Sequence, residues 1–174
     1  LDVPFARVVG LFGGGTMAGV RPTARSMGAT LPDDWLDHIY EKVFFALGEQ
    51  CEPIPGIEAV LDALDAAGVS YAVGSNGPVA KMDVTLRCTG LWSRFEGRVY
   101  SAHDCAASKP APDVYLNAAA KAGLARERCA VIEDSAPGAR AGVAVGLPGL
   151  AFAPGGTREQ LAPHWTATFS DLGQ

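Results

Sequence analysis

The sequence lacks the charge and apolar patterns that would direct it to nucleic acid or into a membrane. Its formal net charge is −5, and it contains no run of lysine and arginine that would track a phosphate backbone. No apolar stretch approaches the roughly 20 consecutive residues that a membrane-spanning helix requires. The sequence therefore argues against both nucleic-acid and membrane partners.

Patterns for disulfides, zinc and secretion are also missing. The four cysteines, Cys51, Cys88, Cys105 and Cys129, show no CxxC spacing, which predicts reduced thiols in a cytoplasmic protein. The first residues contain neither the basic nor the apolar segment of a secretory signal. Because the sequence opens on Leu1 rather than Met, we expect it to begin inside a longer protein.

What the sequence does contain, from residue 56 onward, is an alternation of short apolar strands and amphipathic helices. Repeated strand–helix units of this length predict an α/β domain, a Rossmann-like parallel sheet with helices on both faces. The predicted strands are 70–74, 98–101, 129–132 and 150–152. The predicted helices begin at Gly56, Pro78, Pro112 and Ala136, and Pro78 is expected in the first turn of its helix.

The first part of the chain has a different pattern. Asp33 and Asp34 precede a long stretch with apolar residues at helical spacing, and residues 21–27 favour a shorter helix. The one possible strand here is 8–12. We predict a partial helical cap over 1–53 and a Rossmann-like core over 54–174.

Four chemically active side chains follow the predicted strands. Ser75 and the pair Glu133 and Asp134 end two of them, and Lys109 lies in the loop after a third. In an open parallel sheet, ligands bind beyond the carboxyl ends of the strands. A hydroxyl, an ammonium and two carboxylates there suit a phosphate with Mg²⁺, which takes oxygen ligands. The simpler alternatives are a turn at Ser75, a solvated lysine and a carboxylate that only caps a helix.

Three segments carry a family resemblance: Val73–Gly77, Ser108–Tyr115 and Val131–Ala139. They resemble the second, third and fourth motifs of the haloacid dehalogenase superfamily, particularly its phosphatase and phosphoglucomutase-like branch. The resemblance implies a Rossmann-like core, a helical cap, a Mg²⁺ cofactor and an aspartyl-phosphate intermediate. The substrate implied is a small phosphorylated metabolite such as a sugar phosphate.

The resemblance also implies a role for each matching residue. Ser75 would hold the transferring phosphoryl group, with the backbone N–H groups of Asn76 and Gly77 supporting it. Lys109 would neutralise the phosphoryl group and the nucleophile. Asp134 would bind Mg²⁺ directly, and Glu133 either directly or through water.

One family motif, the Asp-x-Asp-Gly-x-Thr that supplies the nucleophile, has no match in this sequence. The segment Phe12–Thr16 imitates its spacing without the aspartates. We favour reading it as the substrate-facing loop of the cap, with Gly14 and Thr16 as substrate-binding residues. The alternative is a degenerate first motif, and a glycine-rich phosphate loop is weaker because no Lys-Ser/Thr follows.

If the cap interpretation holds, the first core strand lies upstream of Leu1 and carries the nucleophile. The resemblance places that strand at the centre of the sheet, between the predicted strands 70–74 and 129–132. The chain by itself would then be inactive. The alternatives to a phosphatase are a phosphoglucomutase and a non-catalytic remnant that binds an anion or metal. The oligomeric state is not predicted.

Overall fold

Two parallel sheets, surrounded by helices, make up the core of the protein. The structure is a computed structural model that describes residues 3–4, 7–8, 11, 15–153 and 167–172. Strands β1 (Val73–Ser75) and β2 (Val99–Ser101) form one sheet. Strands β3 (Val131–Glu133), β4 (Gly149–Phe152) and β5 (Ala167–Phe169) form the other. Every pairing is parallel, which confirms the predicted α/β class.

The helices alternate with the strands as the sequence predicts. They are α1 (Met17–Ser26), α2 (Trp35–Gln50), α3 (Ile57–Ala66), α4 (Val79–Cys88), α5 (Trp92–Phe95), α6 (Asp113–Lys121) and α7 (Ala136–Ala144). Two short 3₁₀ turns, Ala102–Asp104 and Arg126–Arg128, precede α6 and β3. None of the helices in the described ranges combines the length and the apolar character of a membrane span.

The apolar face of α3 explains how the first sheet is covered. Leu61 is buried with Leu91 and Phe95, and partly buried apolar residues of β1 and β2 pack against them. Burying a side chain the size of leucine contributes roughly 2 kcal/mol. The apolar residues that predicted a helix after Gly56 therefore form the face of α3 that packs against β1 and β2.

Helix α7 approaches the second sheet closely because its buried face is made of small residues. Gly138, Ala139, Ala141 and Gly142 are all buried on it. Its first turn is capped by Ser135, whose Oγ accepts a hydrogen bond from the Gly138 N–H at 3.2 Å. This cap starts the helix directly after the Glu133–Asp134 pair.

Some boundaries differ from the prediction. The possible strand at 8–12 is wrong at Val8 and Leu11, which are helical; the Val8 N–H bonds the Pro4 carbonyl within a local turn. The rest of that segment lies outside the described residues. Pro78 is the N-cap of α4 rather than a first-turn residue, and the sequence did not predict β5. The division into a cap at 1–53 and a core at 54–174 stays a prediction.

Candidate active site

The predicted site residues meet where the carboxyl ends of β1 and β3 approach each other. Lys109 reaches across this junction from the loop before α6. Its Nζ donates to the Gly74 carbonyl at 2.8 Å and to Glu133 Oε1. Its side chain is only 6% exposed and that of Glu133 is 10% exposed. The lysine thus joins the strand of Ser75 to the strand that ends in the acidic pair.

The loop after β1 is fixed by hydrogen bonds of its own. Ser75 Oγ accepts from the Gly77 N–H at 3.0 Å, while the Gly77 carbonyl accepts from the buried Ser101 hydroxyl at 2.8 Å. Because the bond from Gly77 uses only an acceptor position of Ser75 Oγ, the hydroxyl proton can be donated to an anion. The predicted phosphate role of the Gly77 N–H itself stays a prediction.

Asn76 positions Lys109. Its buried side chain accepts from the Lys109 N–H at 2.8 Å and donates to the Lys109 carbonyl at 3.2 Å. Both backbone groups of the lysine are therefore held by one amide, which sets the place from which the ammonium extends. Direct substrate contact by Asn76, expected from the sequence, also stays a prediction.

Both carboxylate oxygens of Glu133 accept hydrogen bonds. Besides the lysine, Oε1 accepts from Tyr115 Oη at 2.7 Å, and Oε2 accepts from the N–H and the hydroxyl of Ser135 at 3.2 and 2.7 Å. Burial alone would raise the pKa of Glu133, but the Lys109 charge and these hydrogen bonds hold it below its usual value. Glu133 is therefore an ionised group that orients the lysine.

Tyr115, on the first turns of α6, is a site residue to which the sequence reasoning gave no role. The Lys109 ammonium lies 4.7 Å from the centre of its ring, while its hydroxyl bonds Glu133. Burial and the neighbouring Glu133 charge raise the pKa of its phenol, so the hydroxyl remains a donor. The available signal was its place one helical turn after the Lys109 loop.

Asp134 has a different environment from its neighbour. It is exposed and lines a groove of about 410 Å³ between the two sheets, together with apolar residues that include Ile54, Ile132 and Phe152. The surrounding protein and the charge of Glu133 raise its pKa. An incoming cation would relieve this repulsion directly.

The acidic pair fits a hard divalent cation. Mg²⁺ keeps several waters and is bound by one or two carboxylates, so a cluster of three protein ligands is not required. The described residues contain no group of three or more acidic, histidine or cysteine side chains able to hold a metal. With both oxygens of Glu133 engaged, Asp134 is the residue suited to direct coordination and Glu133 to contact through water.

The sequence also predicted two substrate-binding residues in the cap, Gly14 and Thr16. Gly14 lies outside the described residues. Thr16 is the N-cap of α1, and its Oγ accepts from the Gly19 N–H at 3.2 Å. Their role in substrate binding stays a prediction.

The chain is similar in sequence to known proteins. The chain is 28% identical over 148 residues to 6-phosphogluconate phosphatase of Escherichia coli K12, covering 84% of the chain and 66% of that enzyme. It spans under half the length of several other curated relatives.

Two solved structures extend the comparison. A haloacid dehalogenase (HAD) family hydrolase from Deinococcus radiodurans R1, with bound phosphate and sodium, is 29% identical and has a TM-score of 0.78 over 99% of this chain and 79% of its own. A CbbY structure from Rhodobacter sphaeroides in complex with xylulose-(1,5)bisphosphate has a TM-score of 0.86 over 100% and 81%; at 18% identity it shows the fold alone.

A family description, haloacid dehalogenase-like hydrolase, matches residues 8–146. That match covers most of the sequence, including all the segments that carry the resemblance. The chain belongs to the haloacid dehalogenase-like hydrolase family.

Proposed function

We propose that the protein is a Mg²⁺-dependent phosphohydrolase that acts on a small phosphorylated metabolite, most simply a sugar phosphate. The observation that carries this proposal is the buried Lys109 ammonium, held between the Ser75 strand and Glu133. The family and its phosphatase relatives support hydrolysis of a phosphate ester. The sugar-phosphate substrate is supported by the similarity to 6-phosphogluconate phosphatase.

In this proposal the chain's own residues position the phosphoryl group and lower its charge. Ser75 donates a hydrogen bond to one phosphoryl oxygen, and the Lys109 ammonium faces the negative charge that spreads over the group during transfer. Asn76 and Glu133 keep that ammonium in place. When bound at Asp134, Mg²⁺ would supply further charge neutralisation.

The nucleophile in this proposal is an aspartate on a segment upstream of Leu1. Its carboxylate oxygen forms a bond to phosphorus while the bond from phosphorus to the sugar oxygen breaks, and water then hydrolyses the acyl phosphate. The sugar leaves with a proton, and the aspartate is regenerated with release of inorganic phosphate.

The separation of the two sheets supports a place for that segment. In the described ranges β1 pairs only with β2, and β3 pairs only with β4. One edge of each of these two strands therefore has no partner strand among the described residues. Ile54 and Ile132 are 47% and 52% exposed along the groove between them. A strand inserted here would pair with both open edges, cover these apolar residues and end beside Ser75 and Asp134.

The proposal is tested on the full-length protein by measuring phosphate release from sugar phosphates with and without Mg²⁺. Lys109→Met should lower kcat by roughly 10²–10³-fold, the size of effect seen when one stabilising charge or donor is removed. Lys121→Met, at an exposed position in the last turn of α6, is the matched control. Turnover that persists in Lys109→Met, or a full-length protein without an upstream aspartate pair, would overturn the proposal.

A further inference from the structure

A second lysine lies beside the Ser75 loop. Lys81, in the first turn of α4, is half-buried. A Cβ placed on Gly77 would lie 3.2 Å from Lys81 Cδ, 3.9 Å from Lys81 Nζ and 3.5 Å from Ser75 Oγ. The ammonium and the serine hydroxyl therefore both lie within 4 Å of one point on the loop.

Local structure accounts for this approach. Side chains on a helix lean toward its N-terminus, and α4 begins at Val79, immediately after the N-cap Pro78. The Lys81 stem consequently runs back over Gly77, where the absence of a side chain leaves room for it. Because it packs there, the ammonium is held at the loop instead of extending from the outer face of α4.

The two lysines near Ser75 differ in how their charges are balanced. The Lys109 ammonium forms a buried ion pair with Glu133. Across residues 15–153 and the other described positions, no carboxylate lies within ion-pair distance of Lys81. The acidic residue nearest to it along α4, Asp83, pairs with Arg87. Within the part of the chain that the structure describes, Lys81 therefore contributes positive charge at this loop that no carboxylate compensates.

We propose that Lys81 binds a second anionic group of the substrate and makes the site selective for doubly anionic sugar phosphates. Ser75 and Lys109 receive the reacting phosphate, while the Lys81 ammonium receives a carboxylate or a second phosphate elsewhere on the same molecule. This inference rests on the proposed function and names the substrate class of that site.

The test compares substrates that share the reacting phosphate but differ in the second group. The full-length protein is assayed with 6-phosphogluconate, xylulose 1,5-bisphosphate and glucose 6-phosphate. Lys81→Met should lower kcat/KM by about 10–100-fold for the two doubly anionic substrates, the loss expected for one charged hydrogen bond, and by less than about threefold for glucose 6-phosphate. The ratio between the first two shows whether the second group is a carboxylate or a phosphate. Lys81→Arg should retain part of the selectivity, and Lys121→Met should leave all three values unchanged.

Three results would overturn the inference. An equal loss of kcat/KM for all three substrates would mean that Lys81 binds the shared phosphate or has a structural role. Unchanged kinetics in Lys81→Met would make it a solvated lysine. A wild-type protein that prefers glucose 6-phosphate would show that the site is not selective for doubly anionic sugar phosphates. Lys81→Gln provides a second neutral variant if the methionine variant does not fold.

Binding measurements separate this inference from the proposed function. If the wild-type protein hydrolyses none of these esters, the proposed function fails. Calorimetry with 6-phosphogluconate and with inorganic phosphate still tests Lys81. The inference requires that Lys81→Met weaken binding of the first ligand and leave that of the second unchanged. Equal weakening, or wild-type protein that binds neither, would contradict it.

Discussion

The two sheets are connected at the carboxyl ends of β1 and β3, while along the strands an open groove separates them. At the connected end, buried and partly buried polar side chains form a network in which Lys109, Tyr115 and Ser135 all donate hydrogen bonds to Glu133. Along the strands, apolar residues such as Ile132 face a groove of about 410 Å³. No backbone hydrogen bond joins β1 to β3 within the described residues.

The contrast shows that side chains hold the connected end together where no backbone hydrogen bond joins β1 to β3. A buried ion pair stabilises only when its remaining donors and acceptors are satisfied. Here the lysine bonds the Gly74 carbonyl and the glutamate accepts four hydrogen bonds. The polar end is therefore fixed by side-chain contacts, and the groove is where the proposed upstream segment would lie.

The largest loss of stability is expected from Gly138→Ala, which disrupts the hydrogen-bond network at the connected end. A Cβ at this buried position would lie 2.1 to 2.3 Å from the carboxylate atoms of Glu133. Because the carboxylate must move off its partners, we expect a loss of about 2–3 kcal/mol in the free energy of unfolding. Urea denaturation of both proteins measures it.

Gly48→Ala is the control for the same substitution within a helix. Its Cβ would make an ordinary contact, 3.7 Å from Val84 Cγ1. Stability should be unchanged or should rise by up to about 1 kcal/mol, the helix propensity difference. Equal stability of the Gly138 variant and wild type would show that Glu133 can leave its network without cost.

A smaller effect is expected from Tyr115→Phe, which removes one bond of the network and keeps the ring. The substitution deletes the 2.7 Å bond to Glu133 but preserves the ring surface beside Lys109. We expect a loss of about 1.5 kcal/mol, as for a hydrogen bond to a charged group. In the full-length protein kcat should fall while KM changes little, because the lysine loses its orientation. If the variant keeps the wild-type kcat but is less stable, then Tyr115 has only a structural role.

The sequence predicted the connected end better than the groove. Ser75, Lys109 and the acidic pair follow strands with clear apolar patterns, so the parallel-sheet rule was enough to bring them together. Glu133's partner Tyr115 lies 18 residues away along the chain, and no local pattern connects them. Lys81 lies close to Ser75 along the chain, but its approach to the Ser75 loop depends on where α4 begins.

Short elements were predicted least well. Strand β5 has three residues, Ala167–Phe169, too few to show a periodicity, and it is stabilised by pairing with β4. The predicted strand at 70–74 begins three residues later in the structure, at Val73. Strand ends depend on the partner strand, and β1 is as long as its register with Val99–Ser101 permits.

The smallest expected change in stability, and one of opposite sign, comes from Asp134→Asn at the edge of the groove. Desolvation by the surrounding protein and the adjacent Glu133 charge raise the pKa of Asp134, so its ionisation disfavours the folded state at neutral pH. The amide removes that repulsion. In metal-free buffer at pH 7 we expect the Tm to rise by about 2 °C, and the gain to disappear as the pH falls below the ordinary aspartate range.

Function should move in the other direction, because Asp134 is the carboxylate suited to Mg²⁺. The same variant should bind Mg²⁺ at least about tenfold more weakly by calorimetry and lose Mg²⁺-dependent turnover in the full-length protein. Asp104→Asn, at an exposed site away from the groove, is the control for both readouts. If the variant binds Mg²⁺ as tightly as the wild type does, then Asp134 does not coordinate the metal. An unchanged or lower Tm would mean that the Glu133 charge does not destabilise an ionised Asp134 in the folded protein. The predicted difference between the environments of the two carboxylates would then be wrong.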